Sequence, residues 1–425
     1  MKIKNLINFF IILFALAIIG CSSRNDDKIH IKFWAIGAEG EKVAKLIPEF
    51  EKQNPKIKID IQQIPWTAAH EKLITAYAGE TLPDCYQIGN TWVAEFSQLD
   101  AIEPLDKYIE KSSVIKKENY FPGIWESNVM NNVVYSIPWY VDTRVMFYRT
   151  DMLMKAGYNE FPKTWSEFYK AAEKIKEQTG NYGIFLPTNE WQPYIIFGYQ
   201  KGADFLKNNW SYGNFSSPQF ISAMNFVDSM YSSGVALYDM QKVMNVYQSF
   251  GAGYFAFYIT GPWNVFEMNR SLPESIKDKW MTAPMPSFDN DYPGYSSAGG
   301  ASLVISKYSK NKDAAWKWIE FLSEKETQIK FFSIVNSLPS RIDAWDDPAI
   351  KDNKYMKAFY LQLQKTKPDP KVPEWEQIVF EKLRVKAEYI ARGDMKVEPA
   401  MKQLDKEVNS VLEKRRWLIE TGKLE

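Results

Sequence analysis

Apolar positions alternate at Ile29, Ile31 and Phe33, which predicts a first strand ending at Trp34. After the turn Gly37-Ala38-Glu39-Gly40 the period changes. Val43, Leu46, Ile47 and Phe50 share one face of a helix that Asn54-Pro55 stops. Ile57, Ile59 and Ile61 predict a second strand, ending near Pro65-Trp66-Thr67. A helix carrying Leu73, Ile74 and Tyr77 follows and breaks at Gly79. Leu82 to Gly89 predicts a third strand, with Asn90-Thr91-Trp92 after it. This strand–helix order is that of a parallel sheet with right-handed crossovers. Ligands of such sheets bind beyond the carboxyl ends of the strands. Here those ends carry Trp34 to Glu39, Trp66-Thr67 and Asn90 to Trp92.

Ser136 to Arg149 mixes two tasks. Val145, Phe147 and Tyr148 suit a half-buried strand. Before them stand Pro138, Trp139, Tyr140 and an Asp142-x-Arg144 pair. Pro138 fixes its own φ and extends Ile137. We read the stretch as a chain crossing between two lobes. Pro138 and Trp139 belong to the hinge and Tyr140 and Asp142 to the gap, with Arg144 holding Asp142 or facing the gap itself.

Further on, Thr164 and Glu167 form a capping box for a helix with Trp165, Phe168, Ala172 and Ile175 inward. Tyr182 to Leu186 predicts a strand, with Asn189-Glu190-Trp191-Gln192 at its rim. Ser217-Pro218 starts another helix. Gly251 to Tyr258 predicts a strand, turned at its end by Gly261-Pro262-Trp263. Pro284, Pro286 and Pro293 punctuate a return across the gap. Gly299-Gly300 then enters a strand over Ser302 to Ser306. Ser323 and Glu326 are placed to cap a helix, and Leu338-Pro339-Ser340-Arg341 predicts a third crossing. Met401, Leu404, Val408, Val411 and Leu412 form one stripe of a terminal helix.

At 425 residues the chain exceeds one hydrophobic core, and two domains follow. Residues 1–20 have a basic start (Lys2, Lys4) and an apolar run from Phe9 to Ile19, too short for a dependable membrane span. Removing them leaves 50 basic against 52 acidic side chains. That balance excludes the basic face a nucleic acid requires. Two cysteines, Cys21 and Cys85, build no disulfide framework, and two histidines, His30 and His70, build no zinc helix. Cys85, in the run Leu82-Pro83-Asp84-Cys85-Tyr86, is expected to be buried. No phosphate loop, nucleophile elbow or metal motif is present, so neither cofactor nor metal is expected. What remains unusual is the aromatic load of 15 Trp, 24 Tyr and 26 Phe, more than a core needs.

The leader ends Ile18-Ile19-Gly20-Cys21-Ser22-Ser23, which resembles the lipobox of bacterial lipoproteins, whose cysteine becomes the lipidated N-terminus. Acylation at Cys21 would hold the protein on a membrane surface outside the cytoplasm. Residues 21–28 read as a tether. A wider resemblance runs to about residue 345. Its pieces are Ile31 to Trp34; Glu49 to Pro55; Leu82-Pro83-Asp84 leading to Trp92; Ile102 to Asp106; the 136–149 stretch; Thr164 to Phe168; Gly261 to Asn264; Ala298 to Ile305; and Leu338 to Arg341. In that order and spacing they resemble the extracellular solute-binding proteins of sugar ABC transporters, the maltose-binding-protein-like group.

The resemblance implies an α/β, two-lobed type II periplasmic-binding fold, each lobe a mainly parallel sheet flanked by helices. We expect residues 29–138 with 284–338 in the first lobe and 139–283 with 339–425 in the second, hinged at about 139, 283 and 340. It also implies a monomer that delivers its ligand to the permease subunits of an ABC importer.

Sugars present apolar C–H faces and a rim of hydroxyls. Tryptophan covers the first; a few fixed donors and acceptors orient the second. Trp34, Trp66, Trp92, Trp191 and Trp263 are the stacking candidates. Glu39, Thr67, Asn90, Asp142, Arg144 and Arg341 are the hydrogen-bonding candidates, and Gly299 and Gly300 bring backbone amides close. The resemblance supports Glu39, Asn90, Tyr140, Asp142, Trp263, Gly300 and Arg341. Ala301 departs from it, standing where several relatives carry an aromatic residue. The rival from another class is a lipid-anchored glycoside hydrolase using a carboxylate pair among Glu39, Asp142 and Glu190. A sensor that hands a sugar to a membrane receptor is the third reading.

Overall fold

Ile31, Phe33 and Ala35 are fully buried along one face of the strand Ile29–Ile36 (β1). The strand continues two residues past Trp34, because Ile36 still pairs with Ile64. The computed structural model describes residues 28–289 and 291–424; the expected leader, Cys21 and residues 22–27 of the tether lie outside the described residues. In chain order the strands of the two main sheets continue as Ile57–Ile64 (β2), Cys85–Gly89 (β3), Ile137–Asp142 (β4), Val145–Arg149 (β5) and Tyr182–Phe185 (β6). Then come Ala236–Leu237 (β7), Phe255–Thr260 (β8), Trp280–Ala283 (β9), Gly299–Ile305 (β10) and Leu338–Pro339 (β11).

A 6-stranded sheet has the order β11-β4-β10-β3-β1-β2, and a 5-stranded sheet the order β7-β6-β8-β5-β9. β1 runs parallel to β2 and β3. β10 is antiparallel to β3 and β4, and β11 to β4. In the second sheet β6, β7 and β8 are mutually parallel while β5 and β9 join antiparallel. Both sheets are therefore mixed, and the antiparallel ladders involve the strands by which the chain changes sheet. A returning chain enters an existing sheet directly, without the crossover helix that parallel entry demands.

The first change of sheet comes later than expected. β4 stays in the first sheet through Asp142, so the chain passes over at Thr143-Arg144. Trp139 is correspondingly core. Its ring stacks on Phe331 at 4.7 Å and meets Phe33 edge-on at 6.2 Å. Burying such a ring stabilises the sheet by roughly 1.5–3 kcal/mol. The second change lies between Ala283 and Gly299; after Pro339 the chain leaves the first sheet, and Phe359 of the helix Met356–Leu363 packs on Phe147 of the second at 6.2 Å. An apolar cluster runs beneath them, joining Val141 and Leu338 of the first sheet to Phe147 and Trp280 of the second.

Local signals had mixed fates. Thr164 Oγ1 accepts from the Glu167 amide at 3.2 Å, and the helix Trp165–Thr179 buries the expected face before Gly180 ends it at φ +71°. Gly251 is not in a strand. Asn245 caps a short helix, Val246–Gly251, and β8 begins at Phe255. Ser323 caps nothing, since its hydroxyl donates to the Ile319 carbonyl of the preceding helix. Cys85 is fully buried, and burial raises its thiol pKa well above the usual range.

Candidate functional site

Asp142 is the last residue of β4 and pairs with Gly299 of β10. A Cβ on Gly299 would stand 2.4 Å from Asp142 Oδ1. Gly300 has φ +124°, and a Cβ there would stand 2.3 Å from the Tyr140 carbonyl oxygen. The two glycines thus let β10 close against the Asp142 side chain. Arg144 Nη1 donates to Asp142 Oδ1 at 3.0 Å. Burial nevertheless holds the Asp142 carboxyl above its ordinary range, the guanidinium opposing. The same guanidinium lies over the Trp263 ring, 4.6 Å from its centroid. With the Gln192 amide oxygen turned toward it, Arg144 Nη2 donates at 3.1 Å, and the amide nitrogen reaches Glu190 Oε2 at 3.1 Å. The Trp263 ring packs against Gly261, where a Cβ would stand 2.1 Å from it, and remains 46% exposed. Tyr258 of β8 joins this wall; burial, with Glu190 adding, pushes its phenol up to about 12.

The first sheet supplies the opposite wall. Gly37 takes φ +68°, and the Trp66 ring occupies the space its side chain would need. Glu39, in the first turn of the helix Gly37–Lys42, accepts from Ser337 Oγ at 2.8 Å. Burial raises its pKa against that bond and Lys42, and the Asp142 charge adds to the rise. Burial holds the Tyr140 phenol well above its ordinary range, with the Glu39 and Asp142 charges adding to the rise. Gln87 braces it, donating to Tyr140 Oη at 2.9 Å and accepting from the Ile36 amide at 2.7 Å. Asn90 Oδ1 accepts from Ser302 at 2.8 Å, while its buried Nδ2 has no partner among the described residues. Trp92 meets Trp66 edge-on at 5.8 Å and His70 at 5.0 Å.

Four expected residues do not join this group. Trp34 lies on the sheet face under the helix Trp66–Ala78, with Lys72 Nζ 4.8 Å from its ring. Trp191 is buried against Trp375 and Phe380, because those residues of the C-terminal region complete the core around it. Arg341 is a brace. It forks onto Asp343 at 2.9 and 2.7 Å and donates to the Val114 carbonyl at 2.8 Å and that of Ser323 at 3.3 Å. Thr67 is exposed and makes no side-chain hydrogen bond among the described residues.

Others went unread in the sequence. Thr91 Oγ1 donates to Glu376 Oε1 at 2.5 Å, and His70 Nε2 pairs with Glu95 at 2.6 Å. Asp369 accepts from Tyr199 Oη at 3.0 Å, and burial pushes its carboxyl up to about 7. Ser337 and Gln87 carry no local signal beyond neighbouring predicted rim residues, whereas Gln192 lies in the expected rim stretch. Among the described residues no group of three or more His, Cys, Asp or Glu side chains is placed to hold a metal ion.

Residues 34–329 match the family described as bacterial extracellular solute-binding protein. This chain belongs to that family. A solved structure of the sugar-binding protein MalE from the phytopathogen Xanthomonas citri is 43% identical, with a TM-score of 0.89, covering 92% of this chain and 99% of that one. A binding protein of Brucella abortus (strain 2308) is 28% identical over 343 residues, 77% of this chain and 80% of its own length. An arabinooligosaccharide-binding protein of Bacillus subtilis (strain 168) is 24% identical over 376 residues, 82% of each. The solute-binding protein therefore has the type II periplasmic-binding fold. No helix among the described residues is long and apolar enough to cross a membrane.

Proposed function

We propose that the protein captures a sugar or oligosaccharide between its two sheets, without turning it over, and delivers it to the membrane subunits of an ABC importer. The observation that carries this is the pair of Asp142, at the end of a first-sheet strand, and Arg144, which bonds it and lies over the half-exposed Trp263 ring. It joins the rim of the first sheet to that of the second. Carboxylates accept from sugar hydroxyls, Asn90 Nδ2 donates, and Trp263 and Trp66 offer apolar faces to C–H groups. Gly299 and Gly300 bring backbone to the same place. The two halves move about the three chain crossings, near Thr143, between Ala283 and Gly299, and after Pro339, and ligand shifts that equilibrium toward closure.

The names of the relatives support a saccharide, and maltose, maltotriose and an arabino-oligosaccharide are the first probes. Incubation of residues 22–425 with each separates capture from hydrolysis. A raised melting temperature with no new reducing ends supports capture. Product that disappears in Asp142→Asn or Glu39→Gln makes the protein a hydrolase instead. Anchoring by acyl chains on Cys21 belongs to the same proposal. Full-length protein should fractionate with membranes, and Cys21→Ala should release it.

A further inference from the structure

A second cavity, about 720 Å³, lies away from the chamber; neither Glu39, Asp142, Arg144 nor Trp263 lines it. Segments far apart in sequence form its walls, including Lys117, Trp125, Asn131-Asn132, Trp210 and Lys371. Arg415, from the helix Glu413–Glu420, completes them. Arg415 is the anomaly. It is only 6% exposed, yet it makes no hydrogen bond or ion pair with any described residue, and its Nε is sealed away from both acceptor and solvent. Burial lowers its proton affinity, and the nearby Glu374 opposes this without closing to an ion pair. Glu374 itself keeps a buried oxygen, Oε2, without a partner among the described residues.

A guanidinium is not deprotonated in proteins, and its buried Nε–H without an acceptor is costly, while the two Nη groups, also without a partner among the described residues, open onto the cavity. Structural arginines of this chain are treated differently. Arg149 and Arg341 each fork onto a carboxylate and backbone carbonyls. The other charged groups at the cavity wall are Lys117, Lys371 and Glu126, and Glu126 is taken up by Lys371. Lys117 is exposed and unpaired among the described residues, and Lys371 is held by Glu126 at 2.6 Å and the Val129 carbonyl at 2.8 Å. Trp210 is 39% exposed and is held at φ +56°, following Asn208 and Asn209 at +53° and +54°. A bulky residue in the left-handed region is a strained placement, and here it sets an indole at the cavity wall.

We infer that this cavity is a second ligand site, for a small organic oxyanion whose charged group completes Arg415 and whose apolar face lies on Trp210. The volume is in the usual range for a small-molecule pocket. Phosphate and carboxylate supply the same fork of acceptors to a guanidinium, so the chemistry is an oxyanion on a sugar-sized body.

The test is calorimetric titration of the mature protein with inorganic phosphate, glucose 6-phosphate and glucuronate at low salt. The expected result is binding of at least one of the two organic anions, tighter than phosphate. Arg415→Gln should weaken it at least tenfold, and Lys117→Ala, at an exposed position, about threefold. Trp210→Ala should bring the organic anion down to the level of phosphate. Trp263→Ala, in the other chamber, should leave it unchanged, so that failure of the sugar proposal and failure of this one are read separately. Which organic anion binds distinguishes phosphate from carboxylate. Absence of heat with all three at 10 mM overturns the site, as does binding that Arg415→Gln leaves intact in a folded variant. So does a crystal structure with Arg415 turned onto Glu374.

Discussion

The Arg144 guanidinium lies over the Trp263 ring at 4.6 Å while its Nη1 bonds Asp142 at 3.0 Å. One side chain thus fixes the stacking platform and the acceptor of the chamber relative to each other. Trp263 is 46% exposed, so its loss removes only about half of a ring's buried area. Trp263→Ala should lower affinity for the best saccharide tenfold or more, about 1.4 kcal/mol, while the variant remains folded. Arg144→Lys keeps the charge but loses the planar fork, and should weaken binding similarly. Unchanged affinity in Trp263→Ala removes that ring from the site.

Arg341 should behave in the opposite way. The family resemblance assigns it to the ligand, but its donors are spent on Asp343, Val114 and Ser323. Arg341→Met leaves those acceptors unpaired and should cost about 3 kcal/mol of stability. Saccharide affinity should stay within about twofold. A large loss of affinity at preserved stability would return Arg341 to the chamber.

These two residues show what the sequence could and could not disclose. Asp142, Glu39 and Trp263 were legible because each follows a strand or turn whose Gly and Pro punctuation marks a sheet rim. Arg341 follows the same kind of punctuation, Leu338-Pro339, yet turns into the first sheet's own packing. Trp191 sits at a rim by local pattern but is covered by Trp375, far along the chain. The Thr91–Glu376 bond joins residues 285 apart. Local periodicity has no access to such contacts. The glycine pair is legible as a close approach of backbone, while its steric reason, the Asp142 side chain, requires the β4–β10 register.

That register gives a direct test. Gly300→Ala would force a Cβ to 2.3 Å from the Tyr140 carbonyl at φ +124°. It should destabilise the fold by about 3 kcal/mol or more, strain and clash combined. Gly202 is the control. It has φ +74°, and the methyl group of an alanine there would meet nothing within 4 Å, so Gly202→Ala should cost only about 1 kcal/mol. Equal losses in denaturant unfolding would mean that backbone strain alone acts at Gly300.

The buried carboxyls predict how stability depends on pH. Burial raises Asp369 from 3.8 to about 7, and moves Glu376, Glu39 and Asp142 in the same direction. Between about pH 4 and 7 the folded protein keeps the Asp369 proton that the unfolded chain has released. The unfolded state therefore binds fewer protons, and stability falls as pH rises through that window. The ceiling for Asp369 is about 4 kcal/mol, at 1.36 kcal/mol for each tenfold change in proton affinity. Asp369→Asn cannot ionise and still accepts from Tyr199 through its amide oxygen. Its melting temperature should fall less than that of the unsubstituted protein between pH 4 and 7.5, with the residual slope supplied by the other three carboxyls. Parallel curves for the two proteins would show that Asp369 is ionised throughout and that its burial is compensated in another way.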